Sequence, residues 1–585
     1  MTYIVILIIA AVLLLYRSFL GFDQTDESYY YALAKRLCQG DGPFVDEWYP
    51  SQFSSVLLKP FYKIYTFFVP DGTGIILAGR ITYLVLAVLI AVFIFRNMHK
   101  NKKVSLTTAL LYLFYARQNV MGLSYYQLYP SFMILALIFI KKAVEVYKDT
   151  GFVSVESDKK SFILFGDHFA KIYLYTILAG AFVSMAVICM PFLAPFVFFI
   201  WIVAMFRNRK AFCFVIGVVI IAVIYIWQVL HNSSIEELMI NLQYVIENPD
   251  YADLSTLTKI IKTILTLGLN CLTGAVVMIV LIIMRIRKRP VSNNTFIVTS
   301  IIAFVLMLIF GEGFTSTGTV YIQISFIGAA YIVRMIIDRS GKGIKELISN
   351  WPVIMYISGP VMAFAFWLGS DTCATCLCTG FVVSSMGAVA IIYDYVAENS
   401  EKYCESNKRI IAMLFVLMII SSCYVRVFGP IYRDSADRSA LNTRISQGPA
   451  KGLWAEAEDA EQYDEVYAVL KNFEQKYPDS ELKIFYSKFL PWAYLCTDYR
   501  FAAQTPWRIA LVNEQLEIYE EIHPENIPDI VVIFNEDIGI TNGMDGGEHM
   551  NEWNPREGYL WDYMTEQGYT QITTSVADIF IRRDL

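Results

Sequence analysis

The sequence predicts a polytopic α-helical membrane protein with a small C-terminal α/β domain. Apolar residues make up 56% of the 585 residues, charged residues make up only 17%, and the mean hydropathy is +0.48. Before residue 430 the apolar residues occur in long runs, and a helix needs roughly 20 such residues to cross a bilayer. From residue 430 onward the chain is polar, acidic and rich in aromatic residues. We therefore expect a transmembrane domain over residues 1–429 and a soluble domain over residues 430–585.

Thirteen apolar segments are candidate transmembrane helices. They are residues 3–20, 75–95, 104–116, 128–140, 171–188, 191–206, 211–230, 260–284, 294–310, 319–337, 352–368, 377–393 and 410–426. The third and fourth segments are short, so they could form a re-entrant pair instead of two full spans. The first segment has no basic start and no small-residue cleavage site, and it carries Arg17 at its far end. We therefore expect an uncleaved anchor.

The loops between these segments differ in basic charge. If the N-terminus lies in the cytoplasm, the cytoplasmic loops contain 23 Lys and Arg residues and the outer loops contain 6. Cytoplasmic loops of membrane proteins carry an excess of Lys and Arg, so this bias predicts the orientation. We expect a multi-pass plasma-membrane protein in which the loop 21–73 and the extracytoplasmic domain 430–585 lie on the outer side.

The soluble domain alternates predicted helices and strands. Helices are expected at residues 456–477, 515–522 and 559–566, and strands at 482–486, 529–534 and 578–581. This alternation favours a small α/β domain. The glycine-rich segment 542–547 lacks the lysine and the strand-to-helix spacing of a phosphate-binding P-loop, so we expect an ordinary flexible loop there.

Cysteine and histidine give little support for a metal site. Cys373, Cys376 and Cys378 fall at an outer loop and at the start of the twelfth span, where zinc would be one interpretation. No second pair of Cys or His residues completes such a site, so tight packing or a local disulfide is favoured, and the five histidines are isolated from one another. We expect no dedicated metal site. A divalent ion is compatible with the chemistry below without being required.

An acidic segment follows the first apolar run. Asp23, Asp26 and Glu27 stand there directly before Ser28 and three tyrosines. Carboxylates beside a bilayer are costly, which makes these residues candidates for function. The alternative is structural, because acidic residues also stabilise the first turn of a helix.

Three short motifs follow one another in the loop 21–73: Asp26-Glu27, then Gly40-Asp41-Gly42-Pro43, then Lys59-Pro60. Their order and spacing resemble the GT-C glycosyltransferases that use polyprenyl-phosphate sugars, in particular protein O-mannosyltransferases and lipid A aminoarabinose transferases. The motifs cover residues 1–140, and the rest of the chain is similar to that family in layout only. The resemblance implies a GT-C-like fold and an inverting transfer from a lipid-linked monophosphate sugar, with Asp26 near the reacting hydroxyl.

The chemistry of such a transfer explains why an acidic residue is needed. A hydroxyl that attacks an anomeric carbon must lose its proton, and a positioned carboxylate can accept it. Asp26 is the predicted general base, and Glu27 and Asp23 are the other catalytic candidates.

The departing polyprenyl phosphate needs cationic partners. Lys59, Arg80 and Arg117 are the predicted phosphate-binding residues. For Lys59 and Arg80 the alternative is an anchoring role, in which the side chain reaches the lipid headgroups. Arg17 is expected to reach the lipid headgroups with its long side chain instead.

The next outer loop departs from the family pattern. Several relatives carry a second acidic residue there, just before a proline. This chain has Tyr125, Tyr126 and Gln127 before Pro130 and no carboxylate. A two-acid or metal-bridged mechanism is therefore in doubt, and these three side chains become candidates for binding the sugar or the phosphate. For the tyrosines the alternative is anchoring at headgroup depth.

The predicted function is a membrane glycosyltransferase, a hexosyl- or pentosyltransferase of GT-C type. Its predicted partners are a polyprenyl-phosphate sugar, a hydroxyl acceptor on a protein, lipid or envelope glycan, and the lipid bilayer, with no nucleic acid. A transporter or flippase of lipid-linked precursors is the alternative, although the spans 211–226 and 294–310 are nearly free of charge. A third possibility is a noncatalytic envelope-assembly protein, in which loss of Asp26 would be harmless.

Overall fold

The computed structural model describes residues 2–115, 121–150, 159–207, 209–247, 257–265, 319–338, 350–370, 377–398, 405–429, 438–507, 513–536 and 554–585, together with a few isolated positions. Arg117, Cys373, Cys376 and the segment 542–547 lie outside these ranges, as do the predicted span 294–310 and most of the span 260–284. Before residue 430 the described residues are mostly helical, and all of the named strands lie after residue 430.

The N-terminal part contains the membrane helices and the helices that lie between them. In chain order these are α1 (Thr2–Ser18), α2 (Asp26–Gln39), α3 (Ser55–Phe68), α4 (Ile75–Asn97), α5 (Lys102–Phe114), α6 (Tyr125–Thr150), α7 (Lys159–Cys189), α8 (Ala194–Arg207), α9 (Cys213–Leu230), α10 (Ile235–Ile246), α11 (Thr319–Asp338), α12 (Trp351–Leu368), α13 (Cys378–Glu398) and α14 (Glu405–Phe428). Within the described ranges, six helical stretches are long and apolar enough to cross a membrane. They are Ile75–Asn97, Ala170–Cys189, Cys213–Leu230, Trp351–Leu368, Cys378–Glu398 and Ile411–Phe428.

Three shorter apolar helices, Thr2–Ser18, Pro191–Phe206 and Val320–Ile336, accompany these six. The predicted segment 104–116 corresponds to the 13-residue helix α5, and 128–140 lies inside the 26-residue helix α6. The prediction of a mostly helical chain with candidate membrane spans is therefore confirmed, whereas the number of thirteen spans stays a prediction.

Helix α4 shows why these sequences belong in lipid. From Leu84 to Phe95 it is apolar on every side, which is typical of a helix that never faces water. Val85 and Leu89 are 55% and 63% exposed on the surface of the protein, whereas Ala87 and Ala91 are buried against neighbouring helices. The exposed side chains are thus available to contact lipid.

The acidic segment and the strongly basic loop after α4 lie at opposite ends of the helices. At one end, Arg80 in the second turn of α4 donates to the carbonyl of Ser18, where α1 ends, at 3.0 Å. At the other end, Nε2 of His99 lies 3.0 Å from Oδ1 of Asp394 in α13. We call the end at Ser18 the domain side, because the C-terminal domain packs there.

The prediction of a C-terminal α/β domain is confirmed. Its elements are β1 (Thr443–Arg444), β2 (Trp454–Ala455), α15 (Ala457–Lys476), β3 (Lys483–Tyr486), β4 (Arg500–Phe501), α16 (Asn513–Ile522), β5 (Ile530–Phe534), α17 (Tyr559–Gln567), β6 (Thr570–Thr573) and β7 (Ala577–Ile581). The main sheet has the strand order β4-β3-β5-β7-β6. β3 pairs in parallel with β4 and β5, and β7 pairs antiparallel with β5 and β6.

Burial explains which strands were visible in the sequence. All five residues of β5 are buried, so its run of Ile, Val and Phe needs no polar position. β7 is also largely buried. β4 has two residues and β6 is mostly exposed and polar, and neither has a counterpart among the predicted strands.

Candidate active site

The acidic segment forms the start of α2, and Asp23 caps it. Oδ1 of Asp23 accepts hydrogen bonds from the backbone N–H groups of Thr25 at 2.9 Å and Asp26 at 3.2 Å, and Oδ2 accepts one from Glu27 at 3.2 Å. The first N–H groups of a helix have no helical partner, and negative charge is favourable at this end. Asp23 therefore stabilises the first turn of α2.

Glu27 is held by an ion pair inside the protein. Its Oε2 atom accepts a hydrogen bond from Nη2 of Arg80 at 2.6 Å, and its Oε1 atom accepts one from Nε at 2.8 Å. Only 1% of the Glu27 side chain and 3% of the Arg80 side chain are exposed. Such geometry offsets the cost of removing both charges from water, and loss of one partner would leave the other charge buried and unpaired.

The other donors of Arg80 hold the chain that leads from α1 to α2. Nη1 donates to the carbonyls of Ser18 at 3.0 Å and Leu20 at 3.1 Å, and Nη2 donates to that of Gly21 at 2.9 Å. With the bonds to Glu27, all five N–H groups of the guanidinium are directed at protein acceptors. A donor phosphate would have to displace some of them, so Arg80 acts first as a positioning residue for the acidic segment.

Asp26 lies between these two fixed carboxylates. It is 6% exposed, and the Thr25 hydroxyl lies 3.4 Å from its Oδ2 atom. Side chains of successive helical residues leave the axis about 100° apart, so Asp26 does not share the direction in which Glu27 meets Arg80. Asp23 and Glu27 fix the backbone on both sides of Asp26, which is the support that a reacting carboxylate requires.

Two glycines allow α2 to pack closely against α4 and against the chain that precedes α6. A Cβ atom at Gly79 of α4 would lie 1.8 Å from the hydroxyl oxygen of Tyr31, and one at Gly122 would lie 3.3 Å from Oε1 of Glu27. Tyr31 is 1% exposed, and burial, followed by the charge of Glu27, raises the pKa of its phenol. Tyr31 therefore stays neutral and packs against α4.

The predicted substrate-binding residues begin α6 on the domain side. The Tyr125 ring lies 5.9 Å from that of Tyr30 in α2 and 4.1 Å from that of Tyr126, measured between centroids. Oε1 of Gln127 accepts a hydrogen bond from the hydroxyl of Tyr83 in α4 at 3.0 Å. The structure thus brings Tyr125 to α2 with Tyr126 beside it, whereas Gln127 binds α4.

Lys59 and Arg80, two of the predicted phosphate-binding residues, lie at opposite ends of α2. Lys59 is in α3, and its carbonyl oxygen lies 3.9 Å from the thiol of Cys38. Cys38 follows Asp26 by twelve residues, which places it roughly 18 Å along the helix. Arg117, the third predicted cation, lies outside the described residues.

The expectation that Arg17 reaches the lipid headgroups is wrong. Its side chain is 1% exposed, and Nη1 donates to the carbonyl of Leu20 at 2.7 Å. The positive charges of Arg80 and of Arg426 in α14 lie near enough to act on Arg17. The protein therefore surrounds the end of α1, and buried arginines from three membrane helices meet on the domain side.

The C-terminal domain covers the segment between α1 and α2. The N–H of Gly21 donates to the carbonyl of Trp454 at 2.7 Å, and the N–H of Trp454 donates to the carbonyl of Phe19 at 2.8 Å. The Phe22 ring packs edge-on against Tyr463 of α15 at 5.3 Å. The acidic segment is therefore enclosed between the membrane helices and the domain.

Arg36 joins the far end of α2 to the same domain, a role that the sequence analysis missed. Nε of Arg36 donates to Asp41 at 2.7 Å, Nη1 to Glu47 at 3.1 Å, and Nη2 to the hydroxyl of Tyr519 in α16 at 3.1 Å. Asp41 belongs to the second motif of the loop, and here it anchors the end of α2. The link of Arg36 to the domain has no local signal in the sequence, because Tyr519 is 483 residues away in the chain.

Neither a metal site nor a comparison with known proteins assigns a function to this site. Among the described residues, no group of three or more His, Cys, Asp or Glu side chains is placed to hold a metal ion. Cys378 is 2% exposed at the start of α13. No protein-family model matches the chain, and a search of curated proteins found no match.

Proposed function

We propose that the protein is a membrane glycosyltransferase of GT-C type that transfers a sugar from a polyprenyl-phosphate donor to an acceptor hydroxyl, with inversion. One observation carries this proposal: Asp26 lies on a helix start that is fixed by the Arg80–Glu27 pair at the end of the membrane helices. A donor held in the bilayer by its polyprenyl chain would present its phosphate and sugar at that level. The site is also enclosed by the C-terminal domain, which would limit access of water.

The proposed reaction uses Asp26 as the base. Its carboxylate accepts the proton of the acceptor hydroxyl while that oxygen bonds to the anomeric carbon. The bond from this carbon to the phosphate oxygen breaks at the same time, and polyprenyl phosphate leaves with the electron pair. Attack from the face opposite the leaving group inverts the configuration. Asp23 and Glu27 hold Asp26 in place in this scheme.

The departing phosphate requires a cation whose hydrogen-bond donors are not all bound to the protein. Arg80 already directs its donors at protein acceptors, and Lys59 is near the distant end of α2. Arg117 stays a predicted phosphate ligand from the sequence alone, and Tyr125 and Tyr126 are the candidate sugar contacts.

The proposed orientation places the N-terminus in the cytoplasm and the domain outside it. The uneven basic charge of the loops supports this orientation, as does the separation of the acidic segment from the basic loop after α4. The full chain would cross the membrane thirteen times under this proposal.

A lipid-release assay tests the proposed function. The full-length protein is reconstituted in proteoliposomes with a panel of polyprenyl-phosphate sugars and hydroxyl acceptors, and release of polyprenyl phosphate is measured. We expect acceptor-dependent release, and we expect Asp26→Asn to lower its rate by about 100-fold or more. Asp562→Asn, at another acidic helix start in α17, is the matched control and should retain the full rate. Absence of release across the panel would refute the proposed function, whereas full activity of Asp26→Asn would refute Asp26 as the base.

A further inference from the structure

Helix α3 exposes an apolar stripe that no described part of the protein covers. Ile64, Phe67 and Phe68 are 63%, 79% and 75% exposed. Their spacing places them on one face of the helix, whereas Leu58 on the opposite face is 1% exposed. Contiguous apolar surface of this kind marks a site of interaction with a membrane or a partner.

Two lysines lie on one side of this stripe. Lys59 and Lys63 are four residues apart and therefore leave α3 on the same side. Neither makes an ion pair with a carboxylate among the described residues. Partial burial, and then the positive charge of Lys63, lower the pKa of Lys59, so a bound anion would relieve an existing repulsion. An apolar, aromatic face combined with lysines on the polar side is typical of helices that lie in the headgroup region of a bilayer.

The contact between α3 and the start of α4 indicates how deep α3 lies relative to the bilayer. The hydroxyl of Tyr65 donates to the carbonyl of Thr73 at 2.5 Å, just before α4 begins at Ile75. α4 is one of the helices that are long and apolar enough to cross a membrane. Phe67 and Phe68 therefore lie close to the level at which α4 enters the bilayer.

We propose that α3 docks on the bilayer surface at the domain side, with Ile64, Phe67 and Phe68 at the boundary between headgroups and acyl chains and with Lys59 and Lys63 bound to phosphates of anionic lipids. A second copy of the chain fits this stripe less well, because two such faces would bring like charges together. Docking of α3 does not depend on glycosyl transfer. If α3 docks in this way, Lys59 binds the phosphate of a bilayer lipid and not the phosphate of the sugar donor.

Contacts between α3 and α2 connect this docking to the acidic segment. The Phe61 ring lies 5.9 Å from that of Tyr31, and the Cys38 thiol lies 3.9 Å from the carbonyl oxygen of Lys59. A helix fixed at the lipid surface therefore fixes the height of α2. The same contacts set the distance between Asp26 and the headgroups.

Fluorescence quenching tests the apolar half of the proposal. Full-length Phe67→Trp is placed in nanodiscs whose lipids carry bromine on their acyl chains, and the signal of the ten native tryptophans is subtracted with the wild-type protein. We expect the added tryptophan to be quenched. Glu458→Trp, at an exposed position of α15, is the control and should not be quenched. Equal signals from Phe67→Trp in brominated and ordinary lipid would overturn the docking.

Thermal shifts test the lysines. Phosphatidylglycerol or phosphatidylcholine is added to the full-length protein in neutral detergent, and Tm is measured. We expect a larger rise with phosphatidylglycerol, and we expect this difference to disappear in the double variant Lys59→Gln, Lys63→Gln but to persist in Lys476→Gln. A difference that survives in the double variant would overturn the lysine assignment.

Two other outcomes would overturn the proposal in favour of another occupant. A lysine-dependent rise in Tm with polyprenyl phosphate but none with phosphatidylglycerol would assign the lysines to the donor. Conversion of a dimer to a monomer by Phe67→Ser, Phe68→Ser would assign the stripe to a second copy.

Discussion

Arg80 of α4 binds Glu27 of α2 through a bidentate ion pair, and the same guanidinium holds three backbone carbonyls of the chain between α1 and α2. One side chain thus joins a membrane helix to the start of the helix that carries Asp26. Glu27 was a catalytic candidate in the sequence. In the structure its ion pair with Arg80 instead fixes the helix start that carries Asp26. This arrangement separates residues that position the site from the residue proposed to react.

Loss of Arg80 should destabilise the fold before it alters donor binding. We expect Arg80→Gln to lower the free energy of unfolding by about 3–5 kcal/mol, because Glu27 would remain buried without a counter-charge. Denaturant unfolding in detergent measures this change. Arg96→Gln, at an exposed position of the same helix, is the control. Adding Glu27→Gln should recover part of the loss in a double-mutant cycle. Equally small effects of Arg80→Gln and Arg96→Gln would show that the pair does not support the fold.

Asp23 and Asp26 should respond differently to the same substitution. Asn keeps one of the two acceptor oxygens that Asp23 offers to the start of α2, so Asp23→Asn should retain transfer and lose less stability than Asp23→Ala, which should cost about 1 kcal/mol. Asp26→Asn should keep the melting temperature and lose about 100-fold in transfer rate. Melting curves and the lipid-release assay on the same preparations separate the two roles. An inactive Asp23→Asn beside an active Asp26→Asn would move the base to Asp23.

The close approach at Gly79 gives a steric prediction. A methyl group there would lie 1.8 Å from the hydroxyl oxygen of Tyr31 and 2.4 Å from its Cζ atom, so the ring must move. We expect Gly79→Ala to destabilise the protein by about 1–3 kcal/mol. Adding Tyr31→Leu should relieve much of the clash, whereas Tyr31→Phe should relieve less because Cζ remains. Melting temperatures of the three variants test this order, and a neutral Gly79→Ala would contradict it.

Local patterns in the sequence predicted the features that depend on local physics. Long apolar runs identified the membrane class, and the buried strand β5 was visible as a run of Ile, Val and Phe. The helix start at Asp26 was also marked by its acidic residues. Each of these signals is carried by neighbours in the chain, so one sequence contains it completely.

Features that depend on distant partners were missed or misjudged. Arg17 ends an apolar run, and that pattern alone indicates a side chain reaching for headgroups, but its burial requires α14 and the chain after α1. The role of Arg36 depends on Tyr519 in α16. The close contact at Gly79 depends on the ring of Tyr31. No spacing along the chain encodes these encounters, since they arise only when the elements pack.

Glu520 of α16 gives a pH-dependent prediction for the C-terminal domain. Burial raises its pKa from 4.5 to about 8, and the hydroxyl of Tyr559 donates to its Oε2 atom at 3.0 Å. Between these pH values the folded domain keeps a proton that the unfolded chain releases, so the free energy of unfolding falls as the pH rises from 4.5 to 8.

The charge of Glu520 should account for a loss on the order of 4 kcal/mol at pH 8. Glu520→Gln keeps an acceptor for Tyr559 and removes the charge, so its stability should depend less on pH and exceed that of the wild type at pH 8. Unfolding curves from pH 5 to pH 8 measure both effects, with the exposed neighbour Glu521→Gln as the control. Parallel pH profiles for wild type and Glu520→Gln would contradict the prediction.

The proposed orientation makes a prediction at two exposed positions. Glu458 lies on α15 at the domain side, and Lys100 lies in the basic loop at the opposite end of the helices. Because Lys and Arg favour cytoplasmic loops, Glu458→Cys should react with an impermeant maleimide on intact cells, whereas Lys100→Cys should react only after permeabilisation. Labelling of the wild-type protein corrects for its native cysteines. The reverse pattern would place Asp26 at the cytoplasmic face, and the donor would then have to present its sugar in the cytoplasmic leaflet.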